Sequence, residues 1–287
     1  MKHALRFLCG TIVALVLSPR LVFAQGGPPF LSDDPDTPGN KSWEINLGFL
    51  GERGPVEGAY QVPDVDINYG LGHRIQLKVE LPLAVEETRG ESGHALAGLG
   101  DALLGVKYRF YAHHPKTETP QPPGERESNF GLSIYPQLAL NTSTRSAPDQ
   151  IFERGLLLPM EASAILGPIR VSGEIGYWLN KDVPNSWISG MVIGHEFKKD
   201  TELYLELYDQ REVSGIDGQP KAGETSLGLG GRLPIVRSGS FLLDMMGHDI
   251  ASSPMGHSSW TAYVGIQFLS DQRRRHSSDF MEGDGVH

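Results

Sequence analysis

Three groups of residues in this 287-residue chain have types and spacings that can do chemistry. Asp33, Asp34 and Asp36 crowd carboxylates of the kind that supply oxygen ligands to a divalent cation. Their spacing lacks the Gly and distal Glu of a calcium loop, so they are expected to be solvated turn residues, and no metal site or cofactor is assigned. His195, near Ser189 on the same side of a strand, offers the base and hydroxyl of a lipid-acting hydrolase. No motif fixes a nucleophile beside its base, so no catalytic residue is assigned and the chain is not read as an enzyme.

The third group is a set of charges that recur on one parity: Glu44, Asp64, Asp66, Arg74, Lys78, Glu80, Lys107, Arg109, Glu161, Arg170, Glu174, Glu196, Glu202, Glu206 and Arg232. Facing a common lumen, they would form opposed charge patches that orient a passing solute, as rings of charge do in channels. Ion-pair packing of a narrow barrel accounts for them equally well.

The segments that carry these charges alternate with period two, the signature of strands with two unlike faces. Trp43, Ile45, Leu47 and Phe49 alternate with Glu44, Asn46 and Gly48, and Ile75 through Val85 alternate with Arg74, Gln76, Lys78 and Glu80. Equivalent patterns carry Leu104 to Phe110, Phe130 to Leu140, Ile169 to Leu179, Leu203 to Leu207 and Trp260 to Phe268. Weaker strands fit at 60–70, 155–166, 186–198, 223–234 and 240–248. About twelve strands result, an even number within the range of bacterial barrels.

Loop lengths separate a barrel from a sandwich. Tight links at Gly70 to Gly72, Leu166 to Pro168, Lys198 to Asp200 and Ile235 to Gly239 fall at every second junction. Longer polar connections are expected between them, at 51–59, 86–97, 142–154, 181–185, 211–222 and 249–258. That asymmetry is the outer-membrane pattern, with short turns and both termini in the periplasm. The Pro-rich stretch from Ala112 to Ser128 breaks the rule and reads as a disordered insertion. Trp43, Tyr69, Tyr108, Phe110, Phe130, Phe197 and Phe268 at one end of the outward faces, with Trp187 and Trp260 at the other, match aromatic girdles. Charges on the inward faces would cost several kcal/mol each in a dry sandwich core, a cost that a wet lumen removes. In the hairpin closed at Gly70 to Gly72, Asp64, Asp66 and Asn68 share a face with Arg74, Gln76 and Lys78, close enough to pair.

Lys2 and Arg6 precede the apolar run Phe7 to Leu17, and Val22-Phe23-Ala24 precedes Gln25, so residues 1–24 read as a cleaved export signal rather than a membrane anchor. Cys9, the single cysteine, lies inside it, so the mature chain has no disulfide. The formal net charge of −10 and the absence of a basic stripe exclude nucleic acid as a partner.

Several motifs together resemble a known family. Leu31-Ser32-Asp33-Asp34-Pro35-Asp36-Thr37-Pro38 followed by Trp43-Glu44-Ile45-Asn46, then Val65-Asp66-Ile67-Asn68-Tyr69-Gly70-Leu71, and Gly98-Leu99-Gly100-Asp101 leading into Gly105-Val106-Lys107-Tyr108-Arg109-Phe110, are similar to the outer-membrane proteins of the phenol-degradation meta-pathway family. Members are often labelled transporter. The resemblance implies a barrel that passes small organic molecules, including aromatics, and it transfers no catalytic residue.

The expected organisation is therefore a signal peptide over 1–24, a periplasmic or lumen-plugging segment over 25–41, an all-β antiparallel up-and-down transmembrane barrel over 42–269, and a disordered tail over 270–287. The chain is expected in the outer membrane of a Gram-negative bacterium, in contact with lipid and with the barrel-assembly machinery, which would read Tyr263, Ile266 and Phe268. The leading function is a channel for small solutes through a polar lumen. The alternatives are a closed structural or surface-interaction barrel acting through its long outer loops and, third, the lipid hydrolase.

Overall fold

A computed structural model of the chain describes residues 28–54, 57–88, 94–113, 130–144, 155–181, 184–198, 201–213, 223–236, 239–248 and 259–270. The expected export signal, the expected insertion apart from Ala112 and His113, most of the expected long loops and the expected C-terminal tail beyond residue 270 lie outside the described residues, and Ala112 and His113 belong to a strand instead.

The alternating segments form strands because each can bury one face and leave the other against hydrocarbon. They are β1 (Trp43–Arg53), β2 (Glu57–Leu71), β3 (Ile75–Thr88), β4 (His94–Leu99), β5 (Ala102–His113), β6 (Phe130–Ile134), β7 (Gln137–Leu140), β8 (Gly155–Leu166), β9 (Ile169–Asn180), β10 (Ser186–Lys198), β11 (Thr201–Glu212), β12 (Gly223–Val236), β13 (Gly239–Gly247) and β14 (Trp260–Leu269). Neighbours pair antiparallel, and β1 closes on β14 with a register running from Glu44 opposite Leu269 to Arg53 opposite Trp260. β4 and β5 both pair with β3, and β6 and β7 both pair with β5, so fourteen segments fill twelve barrel positions. Closure leaves no sheet edge for lipid to meet.

Two interruptions escaped the sequence reading. At Gly100-Asp101 the Asp101 carboxylate accepts the amides of Thr142 (2.9 Å) and Ser143 (2.8 Å), and the Ala102 amide donates to the Thr142 hydroxyl, so side chains replace the ladder. At Tyr135-Pro136 the proline has no N–H to give. Its carbonyl accepts the Val106 amide instead. Each gap spans two residues, which preserves the in-out parity and hides the break from a period-two reading.

The four tight links stand where expected, with Gly72 and Gly167 at φ 71° and 66°, a region that Gly enters without strain. All four join strand ends at one end of the barrel, called the turn end below, and the opposite end, where β9 and β10, β11 and β12, and β13 and β14 follow one another, is called the loop end. Two expected long loops need correction. Only residues 54–56 separate β1 from β2, and strand structure runs through Thr88 and resumes at His94, so most of 86–97 belongs to the wall.

The outward side chains are exposed and apolar from rim to rim, Phe49 at 56%, Leu205 at 46% and Met245 at 64% among them. Trp43 packs on Tyr69 and Tyr111 on Phe130 at the turn end, and Tyr177 packs on Trp187 at the loop end. A continuous exposed apolar surface of this extent, bounded by aromatic pairs, is the surface of a protein that sits in lipid.

Candidate functional site

Along most strands the inward residues change character from one end of the barrel to the other. Near the turn end they are charged, as with Glu44, Lys78, Lys107, Arg109, Arg170, Glu202 and Arg232. Toward the loop end they become apolar. Leu103, Ala139, Leu157, Trp178, Ile188, Tyr208 and Met246 form one buried cluster, and Leu50, Ala59, Ala84 and Tyr263 form another together with Leu242, which lies nearer the turn end, opposite Arg232. At the loop rim they turn polar again, with Glu52, Ser186, Gln210, Glu224 and Thr261. The polar lumen expected from the sequence thus also holds an apolar layer, between a charged layer and a polar rim. Trp178, wholly buried, shows how this was missed, because it simply continues the inward series Arg170, Ser172, Glu174, Gly176.

The charged layer is filled by the chain's own N-terminal segment, residues 28–42. Leu31 belongs to the first apolar cluster, and Phe30 stacks edge-on against Tyr204 with ring centroids 4.0 Å apart. The Glu206 carboxylate accepts the Leu31 amide (3.1 Å), the Ser32 amide (2.8 Å) and the Ser32 hydroxyl. The Asp33 amide donates to Glu174 at 3.1 Å. Lys107 lies 2.8 Å from the Asp33 carboxylate and donates to the Asp34 carbonyl, while Asp36 reaches Arg109 at 3.0 Å and Arg170 at 3.1 Å. Asp33, Asp34 and Asp36 are therefore not solvated turn residues. Two of them are ion-paired across the lumen, and Asp34 bends the segment by accepting the Asp36 amide at 2.8 Å.

Burial opposes ionisation of both Asp34 and Asp36. Facing Lys107 and Arg170, with the Asp36 amide, hold Asp34 below the ordinary carboxylate value despite that burial. For Asp36 burial and the neighbouring Asp34 carboxylate prevail over Arg170 and Arg109, and its pKa is raised.

The remaining members of the charged set fall into three places. On the β1 to β3 wall, Asp66 accepts the side-chain amides of Asn46 (3.1 Å) and Asn68 (3.0 Å), Lys78 sits 2.8 Å from Glu80 and 3.8 Å from Asp66, and Glu44 and Asp64 join them, leaving this wall acidic. On the β5 to β9 wall, Lys107, Arg109 and Arg170 stand with Glu161, which lies 3.4 Å from Lys107 and accepts the Ser133 hydroxyl. At the turn end, Glu202 and Arg232 are opposed in register and, with Arg170 and Glu196, line a cavity of about 60 Å³. Arg74 is the exception. It is exposed at the β2–β3 turn, one step past the last ladder pair, and only its carbonyl takes part, accepting the Arg109 amide.

In that hairpin the expected ion pairing across the strands is made by Lys78 and Asp66, at 3.8 Å, and not by Arg74. Register places Asp66 opposite Glu80 and Asn68 opposite Lys78, so the cation reaches its acids diagonally and along its own strand. His195 and Ser189 are outward residues six positions apart on β10, paired with Leu203 and Asp209 of β11, and the His195 ring packs on Phe197. They cannot share a proton. A hydrogen-bonded histidine instead occupies the loop rim, where His248 lies 2.6 Å from Glu224 and 2.8 Å from the Ser226 hydroxyl through Nδ1 and contacts the Thr261 hydroxyl through Nε2. These bonds tie β12, the end of β13 and β14 together. The parity rule did not reach His248, because it follows the last residue of β13.

Fold and lumen together define a transmembrane β-barrel of the outer-membrane type whose interior is occupied by its own N-terminal segment. No family model and no curated protein sequence matches the chain. Among solved structures, the barrel is similar to the COG4313 outer membrane channel from Pseudomonas putida F1, with TM-score 0.63 and 13% identity over 83% of this chain and 98% of that one. It is also similar to the translocator domain of the autotransporter NalP from Neisseria meningitidis (TM-score 0.50, 10% identity, 79% and 87% covered) and to the KdgM porin in complex with disordered oligogalacturonate (TM-score 0.50, 8% identity, 78% and 98% covered). At these identities the likeness is one of fold.

Proposed function

We propose that this chain is an outer-membrane channel for small organic solutes, held shut by residues 28–42. One observation carries the reading: three cations of the lumen wall find anionic partners on a segment that is not part of the wall. A barrel packed solely for stability has no need to direct those charges to a separate strand of chain, whereas a removable occupant gives a path that opens and closes. The similarity to a COG4313 outer membrane channel supports this reading, and so do the motifs that resemble those of the phenol-degradation meta-pathway family, in which we propose to place the chain.

The same reading places the protein in the outer membrane of a Gram-negative bacterium, delivered by a cleaved signal over 1–24 and assembled by machinery that reads β14. The turn end, where residues 28–42 join β1, faces the periplasm in this arrangement. The solute meets the acidic β1 to β3 wall on one side and the basic β5 to β9 wall on the other, and is oriented by the field between them.

Liposome swelling with small neutral solutes tests the proposal. The triple variant Asp33→Asn/Asp36→Asn/Glu206→Gln removes the anionic side of each anchor and is expected to raise the swelling rate several-fold over the parent chain. If neither protein raises swelling above empty liposomes, the channel reading fails and the closed barrel acting through its loops takes its place.

A further inference from the structure

Two arginines that are remote in the sheet converge on a single carboxylate. Arg109 belongs to β5 and Arg170 to β9, with β6 and β8 between them in the strand order. Nη1 of Arg109 lies 3.0 Å from one oxygen of Asp36 and Nη1 of Arg170 lies 3.1 Å from the other. Arg109 is fixed in that pose by a 2.6 Å bond from its other terminal nitrogen to the His73 carbonyl. Two guanidinium groups set on the two oxygens of a carboxylate are a recognition geometry for that group, stronger and more directional than a lone ammonium provides.

Next toward the loop end stand Lys107, Glu161 and Glu174, and beyond them lies the apolar layer, in which Leu31 of the same segment is seated beside Leu157, Trp178 and Ile188. Between Leu31 and Asp36 the segment is held by Glu206, Glu174 and Lys107, so the Asp36 carboxylate is delivered to the two arginines at the far end of a chain of polar contacts. We propose that Arg109 and Arg170 are the binding pair for the carboxylate of a small organic acid, and that Asp36 occupies this site in cis until such a solute displaces it. The inference rests on the channel reading and adds a solute class to it. A neutral solute of the same shape cannot take over the site, because the arginines would lose an anionic partner inside the barrel.

Equilibrium dialysis of labelled benzoate against the full chain in detergent tests this, with benzyl alcohol as the neutral counterpart of similar shape. Asp36→Asn removes the competing carboxylate and is expected to tighten benzoate binding about tenfold or more, as expected when an internal competitor is lost. Adding Arg109→Gln or Arg170→Gln to D36N should abolish that gain, and because each double variant is charge-compensated, heat-modifiable migration on a gel serves to verify that it has folded. D36N/E206Q loosens the second anchor and covers the case in which residue 36 stays seated as Asn. Equal benzoate affinity in the parent chain, D36N and D36N/E206Q overturns the proposal, as does benzyl alcohol binding that rises in step with benzoate. A barrel that binds benzoate in this pattern yet swells no liposome would end the channel reading and leave the binding site standing. A barrel that conducts but shows no such pattern would end only the site.

Discussion

Lys107 concentrates the electrostatics of the lumen. It is 1% exposed, lies 2.8 Å from Asp33 and 3.4 Å from Glu161, and has its ammonium 4.6 Å from the centre of the Tyr135 ring. Removing one partner of a buried ion pair leaves the other charge uncompensated, at about 3–5 kcal/mol. Lys107→Met is therefore expected to lower unfolding stability in detergent by about that amount. Lys107→Met/Glu161→Gln should recover part of the loss, and denaturant unfolding of the two variants measures both. A different residue-scale constraint acts at Gly70, where a β-carbon would fall on the Gly39 carbonyl while the Gly70 carbonyl accepts the Lys41 amide at 2.8 Å. Gly70→Ala is expected to cost about 1–3 kcal/mol by overpacking. Because the strain falls where the N-terminal segment meets β2, hydrogen exchange should show early loss of protection at the Lys41 amide, with protection of the β10–β11 ladder unchanged.

At the scale of the element, each strand is a boundary between two solvents, and neighbouring positions respond to opposite changes. On β11, Leu205 points outward at 46% exposure and Glu206 points inward, fully buried, onto Ser32. Leu205→Arg sets a charge against the hydrocarbon near mid-membrane and should destabilise the barrel by about 2–4 kcal/mol, read from denaturant unfolding in lipid vesicles. Glu206→Gln should leave that stability nearly unchanged and act on the segment instead, speeding hydrogen exchange at the Leu31 and Ser32 amides that it now holds. If the two variants showed the same pattern, the inside-outside assignment of β11 would be wrong. Alternation made this face assignment legible for every long strand. It could not reveal the breaks at Gly100-Asp101 and Tyr135-Pro136, where parity is kept across the gap, nor the end of the β2–β3 hairpin, where Arg74 has the right parity and no remaining strand to hold it inward.

For the whole molecule the decisive contact is the seam between the first and last strands. Ten residue pairs join β1 to β14, ending at Glu44 opposite Leu269, and Ser270 adds a bond from its amide to the Trp43 carbonyl and accepts the Trp43 amide on its hydroxyl. Ending the chain after Ser270 is therefore expected to leave heat-modifiable gel migration intact. Ending it after His248 removes β14, exposes two sheet edges to lipid, and should abolish the fast-migrating folded form. The contrast would be lost if the barrel closed by another register.

The sequence by itself determined the barrel, its twelve strand positions, the short-turn end and the face of nearly every residue, because period-two alternation and turn chemistry are local and survive without knowledge of the partners. It also set most of the charges on one parity of the strands. Only the tertiary structure decided what they meet. That Asp33 and Asp36 belong to Lys107, Arg109 and Arg170, and that an apolar layer lies above them, follows from the height at which each strand is set in the closed sheet and from the path of residues 28–42 through it. Those distances join residues more than seventy positions apart, and no local pattern encodes them.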